Sequence, residues 1–193
     1  MEYNFIENIC GAECSFVTND ECFSPKNADK GTIAMLSVCT INEGDTVIDL
    51  GCGYGTVGIW AAHHTAPENI CLLEINKAAL ECARKNAVLN GFECLNIIES
   101  NGYENLDRAG FDVILSNPPY HTDFSVAKMF IEKGFNRLKV GGRMYMVTKR
   151  LDWYKNKLAS VFGGVKVNEI DGYYVFIAEK RQQMRADKSK KRG

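Results

Sequence analysis

The segment from Asp112 to Asp123 reads DVILSNPPYHTD, an apolar run that stops at Asn117-Pro118-Pro119-Tyr120. Proline lacks an N–H and fixes φ, so two in a row end a strand on stiff backbone. What stands there is an amide, backbone carbonyls and an aromatic ring. This set suits the handling of a planar amine. An exocyclic amine on a nucleobase is a poor nucleophile, because its lone pair is delocalised into the ring. Two acceptors, the Asn117 side-chain carbonyl and the Pro118 backbone carbonyl, can hold its two N–H groups and favour a pyramidal nitrogen facing an electrophile. Tyr120 offers a flat face for stacking. The same four residues also fit a loop whose prolines merely end the strand, or a polyproline ligand.

A second group lies earlier. VIDLGCGYGTVGI places Gly51, Gly53 and Gly55 directly after an apolar run. Glycine permits a tight turn and lets a ligand lie against bare backbone. The dinucleotide fingerprint needs glycine where this chain has Thr56, which weakens a nicotinamide or flavin reading. The absence of Gly-Lys-Ser/Thr excludes a P-loop. Glu74 follows Gly53 by 21 residues and closes the next apolar run. An acid so placed can accept hydrogen bonds from both hydroxyls of a ribose. The bland alternative is a solvated strand end.

These residues need a scaffold, and the hydrophobic pattern supplies one. TVIDLG, ICLLEI, LNIIES, FDVILS and RMYMVT read as five buried strands. Helices are expected between them at Thr56 to His64, after an Asn76 cap with Leu80, Ala83, Ala87 and Val88 on one face, and from Phe124 to Leu138. A further helix follows from Leu151 to Val161. VKVNEI and YYVFIAE straddle Asp171-Gly172, a two-residue hairpin signal. Ahead of the core, YNFIENI and ECSFVTN read as a hairpin, and TIAMLSV as a short helix. Strands alternating with helices predict a parallel α/β sheet covered on both faces, with ligands beyond the C-terminal strand ends. Both chemical groups fall there. The expected organisation is a single domain over 1–193, with a hairpin extension at 1–30 and a basic tail at 180–193.

Composition narrows the class. Of 193 residues, 46% are apolar and 24% charged, an ordinary globular balance. No apolar run approaches the ~20 residues of a membrane span, and no leader-like pattern is visible, so a cytoplasmic protein without membrane contact is expected. Cys39, Cys52, Cys71, Cys82 and Cys94 read as buried free thiols. Cys10, Cys14 and Cys22 fit no common zinc spacing, and no metal is expected. The segment from Lys180 holds seven basic residues and one acid, a net +6 that leaves −7 for the rest of a chain carrying −1. Without an apolar stripe, its last part is expected to be disordered, either a solubilising end or an arm that touches phosphates.

Together, VIDLGCGYG, LLEIN and SNPPY resemble class I S-adenosylmethionine-dependent methyltransferases. The resemblance implies an α/β, Rossmann-like, mostly parallel seven-strand sheet in the order 3-2-1-4-5-7-6, with the seventh strand antiparallel. It also implies S-adenosyl-L-methionine as cofactor, bound by Asp49, the loop of Gly51, Gly53 and Gly55, and Glu74, with Asn117 bordering it. Asn101 stands where relatives often carry Asp toward the adenine, and its amide oxygen can also accept. The implied catalytic segment is Asn117, Pro118, Pro119 and Tyr120.

CFSPKNADKGTIAML, SNPPYH and RLKVGGRMYMVTKRLDWYKNKL are further similar to bacterial 16S ribosomal RNA guanine-N2 methyltransferases of the small-subunit type, over about Phe16 to Lys180. That implies ribosomal RNA as partner, with Tyr120, His121 and Lys149 as substrate-binding candidates. Tyr120 replaces the Phe usual in that subgroup. The additional N-terminal domain of larger members has no counterpart, so the hairpin, Lys149, Arg150 and the tail are the candidates for positioning RNA. Adenine N6 in RNA or DNA, and a glutamine amide, remain alternative acceptors. A binding module with a dead site is the non-enzyme alternative. None of these features bears on oligomeric state.

Overall fold

The computed structural model describes residues 1–119 and 124–182. Its main sheet has seven strands: β3 (Val47–Leu50), β4 (Ile70–Glu74), β5 (Asn96–Glu99), β6 (Phe111–Ser116), β7 (Leu138–Thr148), β8 (Lys166–Ile170) and β9 (Tyr173–Glu179). Their order is β5-β4-β3-β6-β7-β9-β8. The first five pair in parallel, and β9 lies antiparallel between β7 and β8. Counted from the first core strand, this is the expected 3-2-1-4-5-7-6. β3 is buried throughout, as a strand covered on both faces must be. Two apolar clusters, one on each face of the sheet, form the core.

Helices α1 (Lys30–Leu36), α2 (Thr56–Ala61), α3 (Lys77–Leu89), α4 (Phe124–Arg137) and α5 (Asp152–Phe162) cover the sheet. Asn76 caps α3 through its side chain, on the N–H groups of Ala78 and Ala79. Leu80, Ala83 and Ala87 face inward as expected, but Val88 is exposed, one position past the buried stripe. α2 is shorter than the pattern suggested. Beyond Ala61 the chain tightens to i→i+3 bonds, from His63 to Trp60 and from His64 to Ala61. β7 begins earlier than expected. Gly141 and Gly142 exchange backbone hydrogen bonds with Lys180, which extends pairing across the glycines.

The N-terminal hairpin is β1 (Glu2–Ile9) and β2 (Ala12–Asn19), a separate two-stranded sheet. Its turn puts Cys10 and Gly11 at φ 48° and 93°, and the β8–β9 turn puts Asp171 and Gly172 at 49° and 78°. Both are mirror-image turns that match strand twist, which is why glycine stands second in each. Asn86 of α3 and Asn90, which caps its C-terminus, dock the hairpin. Asn86 accepts from Val17 N–H at 2.7 Å and donates to the Val17 carbonyl at 3.1 Å. Asn90 repeats this on Ser15, at 2.9 and 2.8 Å. Asn86 also donates to the Tyr54 carbonyl at 2.9 Å, which ties hairpin and helix to the glycine turn.

Three expectations are corrected. Cys94 is exposed and Cys39 only half-buried; both lie in connecting segments outside the strands and helices. Lys180 does not belong to a solvated tail. It is buried, and its ammonium donates to the Leu138 carbonyl at 2.7 Å over the Phe135 ring. The tail residues from 183 onward lie outside the described residues. No described helix is long and apolar enough to cross a membrane.

Candidate active site

The C-terminal ends of β3, β4, β5 and β6 converge on one cavity of about 420 Å³. That is within the usual size range of small-ligand sites. It lies where the strand order reverses, the place open α/β sheets reserve for ligands. Asp49, Gly51, Gly53, Glu74, Asn101, Asn117, Pro118 and Pro119 all line it. Segments far apart in sequence therefore meet at one surface.

The glycine turn is held in a conformation that side chains disfavour. Gly51 and Gly53 have φ of 71° and 55°, and a Cβ on Gly53 would meet nothing within 4 Å. The backbone there is bare. At Gly55, also at positive φ, a Cβ would instead stand 3.4–3.5 Å from Leu72, Ala83 and Ile59, and the residue is the N-cap of α2. Tyr54 between them is buried and packs edge-on against Phe16 at 5.5 Å and Phe5 at 6.3 Å. The hairpin thus supports the turn from behind.

Glu74 is fixed by three backbone donors. One carboxylate oxygen accepts from Gly53 N–H at 2.9 Å, and the other from Ile75 and Asn76 N–H, both at 2.9 Å. Asp49 is deeply buried, with one oxygen accepting from Gly58 N–H at 2.8 Å. Burial pushes its carboxyl up to about 7, against the opposing Gly58 hydrogen bond and with a smaller push from Glu74. The Cys52 thiol, in the glycine turn, is held well above its ordinary value, chiefly by burial. Asn101 donates to Glu104 at 3.2 Å.

Asn117 leaves β6 half-buried. Its side-chain nitrogen donates to Asp29 Oδ1 at 2.8 Å and to Thr32 Oγ1 at 3.0 Å. Pro118 is buried and Pro119 exposed. Tyr120 and His121 lie outside the described residues. Lys149 is not among the residues lining the cavity. It follows β7 at the same end of the sheet, 4.9 Å over the Tyr173 ring, and Arg150 lies 5.0 Å over Phe124, which stacks on Trp153.

Phe23, Asp29, Thr32, Ile75 and Phe130 also line the cavity and were not singled out as site residues from the sequence. Asp29 and Thr32 carried a signal, since Asp-x-x-Thr ahead of an apolar run reads as a helix cap. Their reach to Asn117, 88 and 85 positions away, did not.

Strand order, glycine turn and cavity together define a Rossmann-like methyltransferase fold. A family model for the methyltransferase small domain matches residues 13–177, and the chain belongs to that family. Ribosomal RNA small subunit methyltransferase C of Cronobacter sakazakii is 31% identical over 149 residues, 75% of this chain and 43% of that protein. The uncharacterized protein YbxB of Bacillus subtilis is 30% identical over 172 residues, 86% of each chain. Among solved structures, a Thermus thermophilus 16S rRNA N2 guanine methyltransferase (RsmC), in complex with AdoMet and guanosine, superposes with a TM-score of 0.85. It is 28% identical and covers 94% of this chain and 51% of its own. The chain spans about half the length of these ribosomal RNA methyltransferases.

Proposed function

We propose that the chain is an S-adenosylmethionine-dependent N-methyltransferase whose acceptor is the N2 amine of a guanine in ribosomal RNA. The observation that carries this reading is the convergence of Asn117 and Pro118 with the glycine turn and Glu74 on one cavity. The likeness to a guanine methyltransferase captured with AdoMet and guanosine supports the choice of base.

The residues present fit the cofactor. Gly53 offers bare backbone beside a carboxylate whose position three N–H groups fix. A cationic ligand would also relieve the cost of ionising the buried Asp49. When bound, the cofactor supplies an electrophilic methyl group on a sulfonium. Glu74 would accept the ribose hydroxyls, and Asp49, Gly51 and Asn101 would border the same molecule. Gly55 would serve by shaping the turn. Asn117 and the Pro118 carbonyl would hold the acceptor amine, with Tyr120 and His121 beside the base. Lys149 and Arg150 would meet phosphates at the same end of the sheet. No buried base is needed for the proton the acceptor loses, because a methylated exocyclic ammonium is strongly acidic.

The test is transfer of labelled methyl from S-adenosylmethionine to undermodified ribosomal RNA, followed by nucleoside analysis. N2-methylguanosine is the expected product. Label on adenine N6 would overturn the choice of base, and label confined to a protein glutamine would overturn the choice of RNA.

A further inference from the structure

The amide of Asn117 has two nearly isosteric ends, and only one can accept from an amine. Rotation by 180° about its terminal bond would put N–H groups where a carbonyl is needed, donor against donor. Something must choose the orientation. Asp29 and Thr32, at the start of α1, are arranged to do so. Asp29 is the N-cap of that helix, and its Oδ1 accepts from the backbone N–H of Thr32 at 3.0 Å. The same oxygen accepts from the Asn117 side-chain nitrogen at 2.8 Å, and buried Thr32 adds a second oxygen at 3.0 Å.

We propose that Asp29, assisted by Thr32, is a positioning residue that locks the Asn117 carboxamide with its nitrogen on α1 and its carbonyl end turned the other way, toward the acceptor amine. The proposal rests on the function assigned above to Asn117. Because nitrogen and oxygen occupy opposite sides of one planar group, fixing the nitrogen fixes the oxygen. A flipped amide would set its carbonyl against the Asp29 carboxylate, acceptor against acceptor. The charge on Asp29 also polarises the amide, which strengthens the carbonyl as an acceptor.

α1 is itself packed closely against β9. A Cβ on Gly31, between the two positioning residues, would stand 2.8 Å from the Tyr173 ring and 3.0 Å from Asp29 Oδ1. The helix therefore lies closer to β9 than any other residue at that position would permit. Its capping carboxylate is thereby brought to the end of β6.

A cap alone would explain the Asp29–Thr32 bond, so the test must separate capping from positioning. Asp29→Ser keeps a good N-cap but is too short to hold Asn117 as well. Asp29→Asn keeps an oxygen able to do both. The first readout is the pair of Asn117 side-chain N–H resonances, identified by their absence in Asn117→Asp and recorded with no acceptor present. They should exchange slowly with water in the wild type, quickly in Asp29→Ser, and slowly again in Asp29→Asn. The second readout is kinetic. Asp29→Ser should leave the melting temperature and the KM for S-adenosylmethionine unchanged while kcat falls by roughly 10- to 100-fold, the scale of a misplaced reacting partner. Asp29→Asn should restore most of the turnover. Thr32→Val should give a smaller fall of the same kind.

Wild-type resonances and wild-type kcat in Asp29→Ser would overturn the proposal and leave Asp29 a helix cap. A fall in kcat matched by a lower melting temperature, with no rescue by Asp29→Asn, would also overturn it. If the wild type methylates no amine at all, the proposed function fails, while the resonances still decide whether Asp29 fixes the amide.

Discussion

Replacing Glu74 with alanine takes a carboxylate away from three backbone N–H groups and, on the proposed function, from two ribose hydroxyls. The two losses differ in size. Ile75 and Asn76 are outside the core, and water can replace the carboxylate at their N–H groups. Gly53 is half-buried in a turn at φ 55°, so its N–H is the costly one. Leaving it without an acceptor should lower stability by about 1–3 kcal/mol. For the cofactor, each hydrogen bond to a charged acceptor contributes about 1.5–3 kcal/mol. Two of them amount to about 3–6 kcal/mol, a weakening of roughly 100- to 10,000-fold. Glu74→Gln should not rescue this. Its one oxygen can serve Gly53 or the pair at Ile75 and Asn76, and its NH2 then faces the remaining donor. Titration calorimetry with S-adenosylmethionine, beside a thermal melt, checks both numbers. Unchanged affinity in a folded Glu74→Ala protein would refute the reasoning and remove Glu74 from the cofactor site.

Four other outcomes are expected. Asn117→Ala should leave cofactor affinity nearly intact and reduce single-turnover methyl transfer by ~100-fold or more, the scale for one preorganised polar group; near wild-type transfer would count against the amine clamp. Asp49→Asn should change the pH dependence of stability. The folded carboxyl holds its proton up to about 7 and the unfolded one only to its ordinary 3.8, so the contribution of Asp49 to stability is greatest below that lower value and is lost as pH rises to about 7. The Asp49→Asn melting temperature should therefore gain on the wild type between those pH values, by up to about 4 kcal/mol in stability, and a constant difference would refute the buried-acid account. Gly58→Ala would bring a Cβ within 2.6 Å of Leu72, which is fully buried in β4, and should destabilise by about 1–3 kcal/mol in a denaturant melt. Truncation after Gln182, which spares the buried Lys180, should weaken RNA binding and flatten its dependence on salt if the basic tail meets phosphates; equal salt slopes would make the tail a solubilising end.

Sequence by itself determined the alternation of strands and helices, because strands buried on both faces read as continuous apolar runs and helices as stripes. The glycine turn and the acid closing the next strand were equally visible, since positive φ demands glycine and their spacing is local. The Asn76 cap and the Asp171-Gly172 turn were legible for the same reason. Element ends were less so. Whether β7 continues through Gly141 and Gly142 depends on Lys180 lying opposite, and whether Val88 is buried depends on where α3 leaves the sheet. The environment of single side chains was decided by tertiary structure alone. Lys180 looked like the first residue of a basic tail, yet its ammonium is buried on the Leu138 carbonyl. Asp29 fell in a stretch that read only as a loop, yet it caps α1 and holds Asn117 across 88 residues. Local pattern fixes which backbone a residue prefers. Which distant side chain it meets follows only once the parallel sheet has brought separate strand ends to a common edge.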